Sequence, residues 1–237
     1  MNAEYITHMG DDLMVVNAAR VSFDKESQWE FERGIKDGPE LEEPVLSIKD
    51  RKLISYLATH DHWTPFGHPQ ITLRETVPIF VARQRFKHMV GFVYNEVSRR
   101  YVDDTPEFFT PDVWRYRPDG SVKQGSGSEV VLHTTVDGVN DFVHNHYRDL
   151  VQHAVELYNE MIGDGVAPEQ ARMVLPQSMY TSYYVTGSLA AWARAYKQRI
   201  DAHAQKEIQE LAAQWGQLIE PLFPISWEAL THDSWDE

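Results

Sequence analysis

The sequence predicts a single α+β domain that is mainly helical and holds few strands. Three observations carry this. Apolar residues recur at helical spacing in several stretches, most clearly at 140–163, where Val143, Tyr147, Leu150, Ala154, Tyr158 and Met161 form one stripe. One stretch, QITLRETV at 70–77, alternates polar and apolar residues as a half-buried strand does. The chain has 237 residues, 42% of them hydrophobic, which is enough for one substantial core.

Taken in order, residues 11–23 (DDLMVVNAARVSF) read as a helix capped by Asp11 or Asp12, whose short carboxylate can accept from first-turn amides. Residues 24–47 are acidic and read as a loop, with Gly34, Gly38 and Pro44 as breakers. Ser47 stands as the N-cap of a helix to about His60, with Ile48, Leu53, Ile54 and Leu57 near helical spacing. HDHWTPFGHP at 60–69 is rich in turn residues. In 70–77, Ile71, Leu73 and Val77 share a face that Glu75 interrupts. Pro78 suits the first turn of a helix, IFVARQRFKHM, because the N–H it lacks would have no intrahelical partner there. Residues 102–138 gather Pro, Gly and Ser, notably SVKQGSGSE at 121–129, and 115–138 reads as a mobile insertion within one domain, 1–237. Gly163 or Gly165 ends the helix at 140–163, and Pro168 opens a short one. Residues 188–200 and about 203–220 read as helices, followed by Pro221 and a short tail.

Composition excludes several functions. With no cysteine there is no disulfide, no Cys-ligated metal and no thiolate nucleophile. No apolar run is long enough to span a bilayer, and MNAEYITHMGDDL lacks the layout of a secretory signal, so the expected location is cytoplasmic. A formal net charge of −14 disfavours non-specific binding to nucleic acid. Against that background, 83–101 (RQRFKHMVGFVYNEVSRRY) is a basic island, with Arg83, Arg85, Lys87, Arg99 and Arg100 against one acid, Glu96. It reads as an anionic-ligand site, or as a solvated face or a surface for an acidic partner.

Four segments carry chemistry. His60, His62 and His68, with Asp61, admit a metal site, packing or ligand contact, though their spacing is not that of a zinc finger or zincin. The basic island supplies Arg forks and a Ser hydroxyl of the kind that hold phosphate, with no Gly-rich phosphate loop in the chain. In ARMVLPQSMYT (171–181), Arg172 lies among apolar residues and needs a partner, either a structural ion pair or a ligand. In YKQRIDAHAQKEIQ (196–209), Arg199 and His203 would share a face if helical, as a site or as an exposed pair.

Together these segments resemble the flavin-dependent thymidylate synthase (ThyX) family. Its signature, R-H-R followed by seven or eight residues and S within R-Q-x-x-R-H-R…N-E-x-S-x-R-Y, stands here as Arg83-Gln84…Lys87-His88-Met89, then Asn95-Glu96-Val97-Ser98-Arg99-Arg100-Tyr101. AARVSF (18–23), HWTPFGH (62–68), PIFVARQ (78–84), ARMVLPQSMYT and RIDAHAQKEIQ match further family segments in the same order. Two departures stand out. R-H-R reads Lys-His-Met, so Lys87 keeps a charge without the bidentate fork, and Met89 replaces a cation that touches FAD in the family. The family's N-x-R…N on the flavin-binding helix falls on Ser188, Ala190 and Arg194, and Arg85 and Arg194 are candidates to compensate.

The resemblance implies a small, largely antiparallel sheet inside the helical domain and the reductive methylation of dUMP to dTMP. It implies FAD as cofactor, 5,10-methylenetetrahydrofolate as carbon donor and NADPH as reductant. Arg199 would be catalytic, facing the N3–O2 edge of uracil. Gln84, Lys87, Glu96, Val97, Ser98, Arg99, Arg100 and Arg172 would bind dUMP with it. His62, Thr64, Lys87, His88, Met89, Glu96, Ser188, Arg194 and His203 would lie at FAD or folate. No metal is expected. The resemblance also implies a homotetramer with sites where subunits meet, and neither nucleic-acid nor membrane partners. Two other readings remain: a flavin- or nucleotide-binding paralogue without catalysis, and a metal-dependent nucleotide hydrolase using His60, Asp61, His62 and Glu96.

Overall fold

The alternation at 70–77 forms strand β4, Gln70–Pro78, which turns Ile71, Leu73, Glu75 and Val77 inward. The computed structural model describes residues 1–34, 41–101, 105–117, 125–127, 134–135, 138–139 and 141–232. Strand β4 pairs with two strands that the pattern did not announce, β1 (Asn2–Met9) and β8 (Tyr180–Ser188). A third, β5 (Phe92–Glu96), completes a sheet of order β1-β4-β8-β5 in which every pairing is antiparallel. The reason these strands hide is physical. The inward positions of β8 are Thr181, Tyr183, Val185 and Gly187, so its buried face is not an apolar series. Gly187 is required there, since a Cβ would meet the Phe92 ring at 2.3 Å.

The segment expected as a loop at 24–47 contains a hairpin, β2 (Glu30–Gly34) with β3 (Leu41–Val45). Helix α1 is Asp12–Arg20 and a 3-10 turn, Val21–Phe23, follows it. Asp11 is its cap, accepting from the Met14 amide at 2.8 Å. Ser47 caps α2, Ile48–Thr59, as expected. Helix α3, Ile79–Arg85, stops before the Lys-His-Met triplet instead of running through it. The proposed insertion at 115–138 falls largely outside the described residues; within it, Thr134–Thr135 (β6) pairs with Gly138–Val139 (β7). Helices α4 (Asp141–Gly163), α5 (Pro168–Ala171), α6 (Leu189–Ile200) and α7 (Lys206–Ile219) follow. Of the α4 stripe, Tyr158 is buried while Leu150 is exposed.

Helices α6 and α7 cover the inner face of the sheet. Leu189, Trp192, Ala195, Ile208, Leu211 and Trp215 pack there in one core with Ile71, Leu73, Val77 and Val185, and the Trp192 indole donates to the Ile71 carbonyl at 3.1 Å. The outer face is polar, with Thr72 against Thr186 and Arg74 and Thr76 against Ser182. The tail expected after Pro221 instead forms helix α8, Pro224–Thr231, with Pro in its first turn. Asp12, 2% exposed, accepts from the Ile225 and Ser226 amides at 2.9 and 3.0 Å, so the first helix caps the last. No helix among the described residues is long and apolar enough to cross a membrane.

Candidate active site

Where β5 ends, the chain leaves the sheet through Val97, whose amide donates to the Ser182 carbonyl at 2.9 Å, and turns at Ser98–Tyr101. A cavity of about 810 Å³ opens there. Glu96, Val97, Ser98, Arg99, Arg100 and Arg172 all line it, which joins two segments far apart in the chain. Thr181 Oγ1 donates to Glu96 Oε1 at 2.6 Å and fixes that carboxylate. Ser98 Oγ accepts from the Arg100 backbone and Nε at 3.4 and 3.3 Å. Arg172 is exposed on a 3-10 turn, Arg172–Val174, and donates Nε to the Glu169 carbonyl, so the structure gives it no internal carboxylate at that contact. Arg74 and Thr181 also line the cavity, and the sequence reading missed both. The signal was available for Arg74: it stands on the outward side of an alternating strand. Four arginines and a hydroxyl around one space suit a phosphate.

A second group forms where α3 ends. Successive turn bonds, Phe86 to Ala82, Lys87 to Gln84 and His88 to Arg85, fold the triplet back toward the sheet. Gly91, at φ +81°, turns the chain into β5. Arg199, on α6, donates Nε to His88 Nε2 at 2.8 Å and Nη2 to the Gln84 carbonyl at 3.5 Å. The Gln84 amide donates to the Gln205 side-chain oxygen. Arg194 donates to the Val90 carbonyl, and Lys87 and Met89 are exposed beside it in sequence. His88 is only 7% exposed. Burial, and then the charges of Arg199, Arg85 and Arg194, pull its pKa to about 4. A neutral imidazole keeps a lone pair on Nε2, which the Arg199 donor requires. Burial, and next the Arg85 charge, also lower the pKa of Arg199. Arg199 is not among the residues that line the Arg172 cavity.

Behind this turn lies the residue that interrupted the apolar face of β4. Glu75 is 0% exposed and so is Arg85, which donates Nε to both Glu75 oxygens at 3.2 Å. Arg85 was expected as a compensating flavin cation; it is instead enclosed by Phe92, Trp192 and Trp215 and cannot reach a ligand. Tyr183 and Tyr94 complete the network: Tyr183 donates to Glu75, and Arg85 Nη1 donates to the Tyr94 hydroxyl at 2.7 Å. Burial pushes Tyr94 up to about 12 and, with the Glu75 charge, raises Tyr183 further.

The remaining expected residues are placed as follows. Ser188 caps α6 through the Ala191 amide at 3.3 Å. The Ser188 amide donates to Gly91 and the Leu189 amide to Pro69, so the start of α6, the triplet turn and the 62–69 segment converge. His62 and Thr64 are exposed on that segment, His62 edge-on to Tyr56. His203 pairs with Asp201 at 2.9 Å on the surface. It does not share a helical face with Arg199, because α6 ends at Ile200 and Asp201 is extended. Among the described residues no three His, Asp or Glu groups gather as a metal site.

A family model described as thymidylate synthase complementing protein matches residues 4–225. A protein named flavin-dependent thymidylate synthase from Thermosipho africanus (strain TCF52B) is 37% identical over 223 residues, covering 93% of this chain and 86% of that one. One of the same name from Thermotoga neapolitana is 34% identical over 226 residues, covering 95% and 88%. Among solved structures, the UMP/dUMP methylase PolB from Streptomyces cacaoi bound with 5-Br dUMP matches with a TM-score of 0.75 and 27% identity, over 98% of this chain and 95% of that one. Fold and relatives agree, and the chain belongs to the flavin-dependent thymidylate synthase family, an α+β methyltransferase.

Proposed function

We propose that this protein converts dUMP to dTMP with FAD as cofactor, 5,10-methylenetetrahydrofolate as carbon donor and NADPH as reductant. The observation that carries the reading is the Arg199–His88 contact in a chain with no cysteine. Carbon 5 of uracil must become a nucleophile, and the thiolate route to it is closed. A fixed cation can instead stabilise negative charge on the N3–O2 edge. Arg199 suits that task. Neutral His88 and the Gln84 carbonyl engage its Nε and Nη2, which sets the guanidinium plane; among the described residues no hydrogen bond engages Nη1, which is left for a ligand. Ser98, Arg100 and Arg172 would hold the phosphate, with Glu96, Val97, Arg99, Gln84 and Lys87 around sugar and base.

The residues at the triplet turn fit FAD. Lys87 and Arg194 are exposed cations for a diphosphate, and exposed Met89 and Val90 offer apolar surface to a flat ring. When bound, FAD supplies the hydride. His62, Thr64, His88, Ser188 and His203 would orient flavin and folate, and Glu96 would touch both flavin and nucleotide. Arg199 is not among the residues that line the cavity of Arg172, and a second copy that brought the two together would fit a homotetramer with shared sites.

The test is the visible spectrum with FAD, then anaerobic NADPH with and without dUMP, then dTMP formation. Flavin bleaching, faster with dUMP, followed by dTMP is the expected result. Arg199→Ala should abolish dTMP while the protein stays folded; an active variant removes the catalytic assignment. Met89, where the family carries a cation, favours one second reading, an inactive paralogue. That reading predicts dUMP binding without dTMP.

A further inference from the structure

We infer that the buried Glu75–Arg85 pair is a positioning device for Arg199, acting through Tyr94 and His88 and never touching substrate. This rests on the reading of Arg199 given above. The chain of contacts is continuous. Glu75 holds Arg85 through Nε, with Tyr183 donating to the same carboxylate. Arg85 Nη1 donates to the Tyr94 hydroxyl at 2.7 Å, and that hydroxyl donates to the His88 carbonyl at 2.6 Å. His88 Nε2 then accepts from Arg199 at 2.8 Å.

Stability alone is a poor reason for the pair. Burying two charges costs more desolvation than the attraction commonly returns, and apolar replacements are often neutral or better. The guanidinium carbon sits 4.4 Å from the Phe92 ring centre, 4.8 Å from Trp192 and 4.7 Å from Trp215; these cation–π contacts return part of the cost, and an apolar side chain would also pack among the rings. Arg85 Nη2 also finds no hydrogen-bond partner among the described residues, which a pair selected for stability would not leave. What the pair does provide is direction. A fixed Arg85 orients the Tyr94 hydroxyl, whose one proton then goes to the His88 carbonyl. The backbone of the triplet is pinned from inside, while Lys87 and Met89 on either side stay exposed. Burial, and then the charges of Arg199, Arg85 and Arg194, disfavour protonation of the His88 ring, which keeps Nε2 as an acceptor.

Two variants test this. Tyr94→Phe deletes the relaying hydroxyl and keeps the ring packed against Phe86 and Tyr183. Glu75→Leu with Arg85→Met replaces the pair by apolar residues of similar size. Both should lower kcat for dTMP roughly 10- to 100-fold, with KM for dUMP within about twofold, because Arg199 is displaced only from where charge develops. The double variant leaves the buried Tyr183 hydroxyl without its Glu75 acceptor, so a modest fall in its melting temperature is expected and does not decide the inference. Unchanged kcat in both variants overturns the inference. If the double variant does not fold, Tyr94→Phe alone decides. If wild type makes no dTMP, the proposed function fails separately, and the His88 imidazole nitrogen resonances decide the positioning. A shift in Tyr94→Phe supports it, and an unchanged spectrum overturns it.

Discussion

His88 illustrates how much one side chain can hold. It takes its place from a turn, its charge state from its neighbours and its purpose from Arg199. Its pKa falls from the ordinary 6.5 to about 4, chiefly by burial and then by three arginines. The unfolded chain binds a proton on this ring below pH 6.5 and the folded chain does not until about pH 4. Stability contributed by the neutral ring is therefore present above 6.5 and lost as pH falls toward 4. Melting temperature measured across that window should drop more steeply in wild type than in His88→Gln; parallel curves would sink the assignment. The departures from the family signature were legible as departures, and the cavity of Glu96–Arg100 and Arg172 gathers residues that resemblance had named. What lay beyond reading was Arg85. A cation in a basic run looks like a ligand group, and only the tertiary fold brings it against Glu75. The warning was in β4 all the same: a charge at an inward position has to be answered by another.

At the scale of the element, local signals were readable and distant ones were not. Caps are local, so Asp11 and Ser47 were found from neighbours in sequence. Strands β1, β5 and β8 are defined by whom they pair with, and β8 presents Thr181 and Gly187 to the interior, which no alternation rule rewards. Ser188 shows how a residue can be placed correctly and understood differently. Its hydroxyl is already committed to the α6 amide of Ala191. Ser188→Ala should therefore cost about 1 kcal/mol without any flavin present, seen as a fall in melting temperature of roughly 2–4 °C. A variant that melts like wild type until FAD is added would give the side chain back to the cofactor.

For the whole molecule, the absence of Arg199 from the cavity that Arg172 lines bears on assembly. Arg172→Ala and Arg199→Ala should each lose dTMP formation. If the complete site draws one arginine from each of two copies, mixed oligomers of the two variants will contain sites with both intact, and activity will return on subunit exchange. Mixtures as dead as their parents would mean that a single chain supplies both. The topology has a further consequence during synthesis. Strand β8 lies between β4 and β5 although it is made after both, and Asp12 waits for Ile225 and Ser226 before its carboxylate is satisfied. The ribosome thus releases β4 with one edge unpaired and a basic turn with nothing behind it. The core cannot close until residues as late as Trp227 have emerged, and the stage before that is the one most exposed to aggregation and to chaperones.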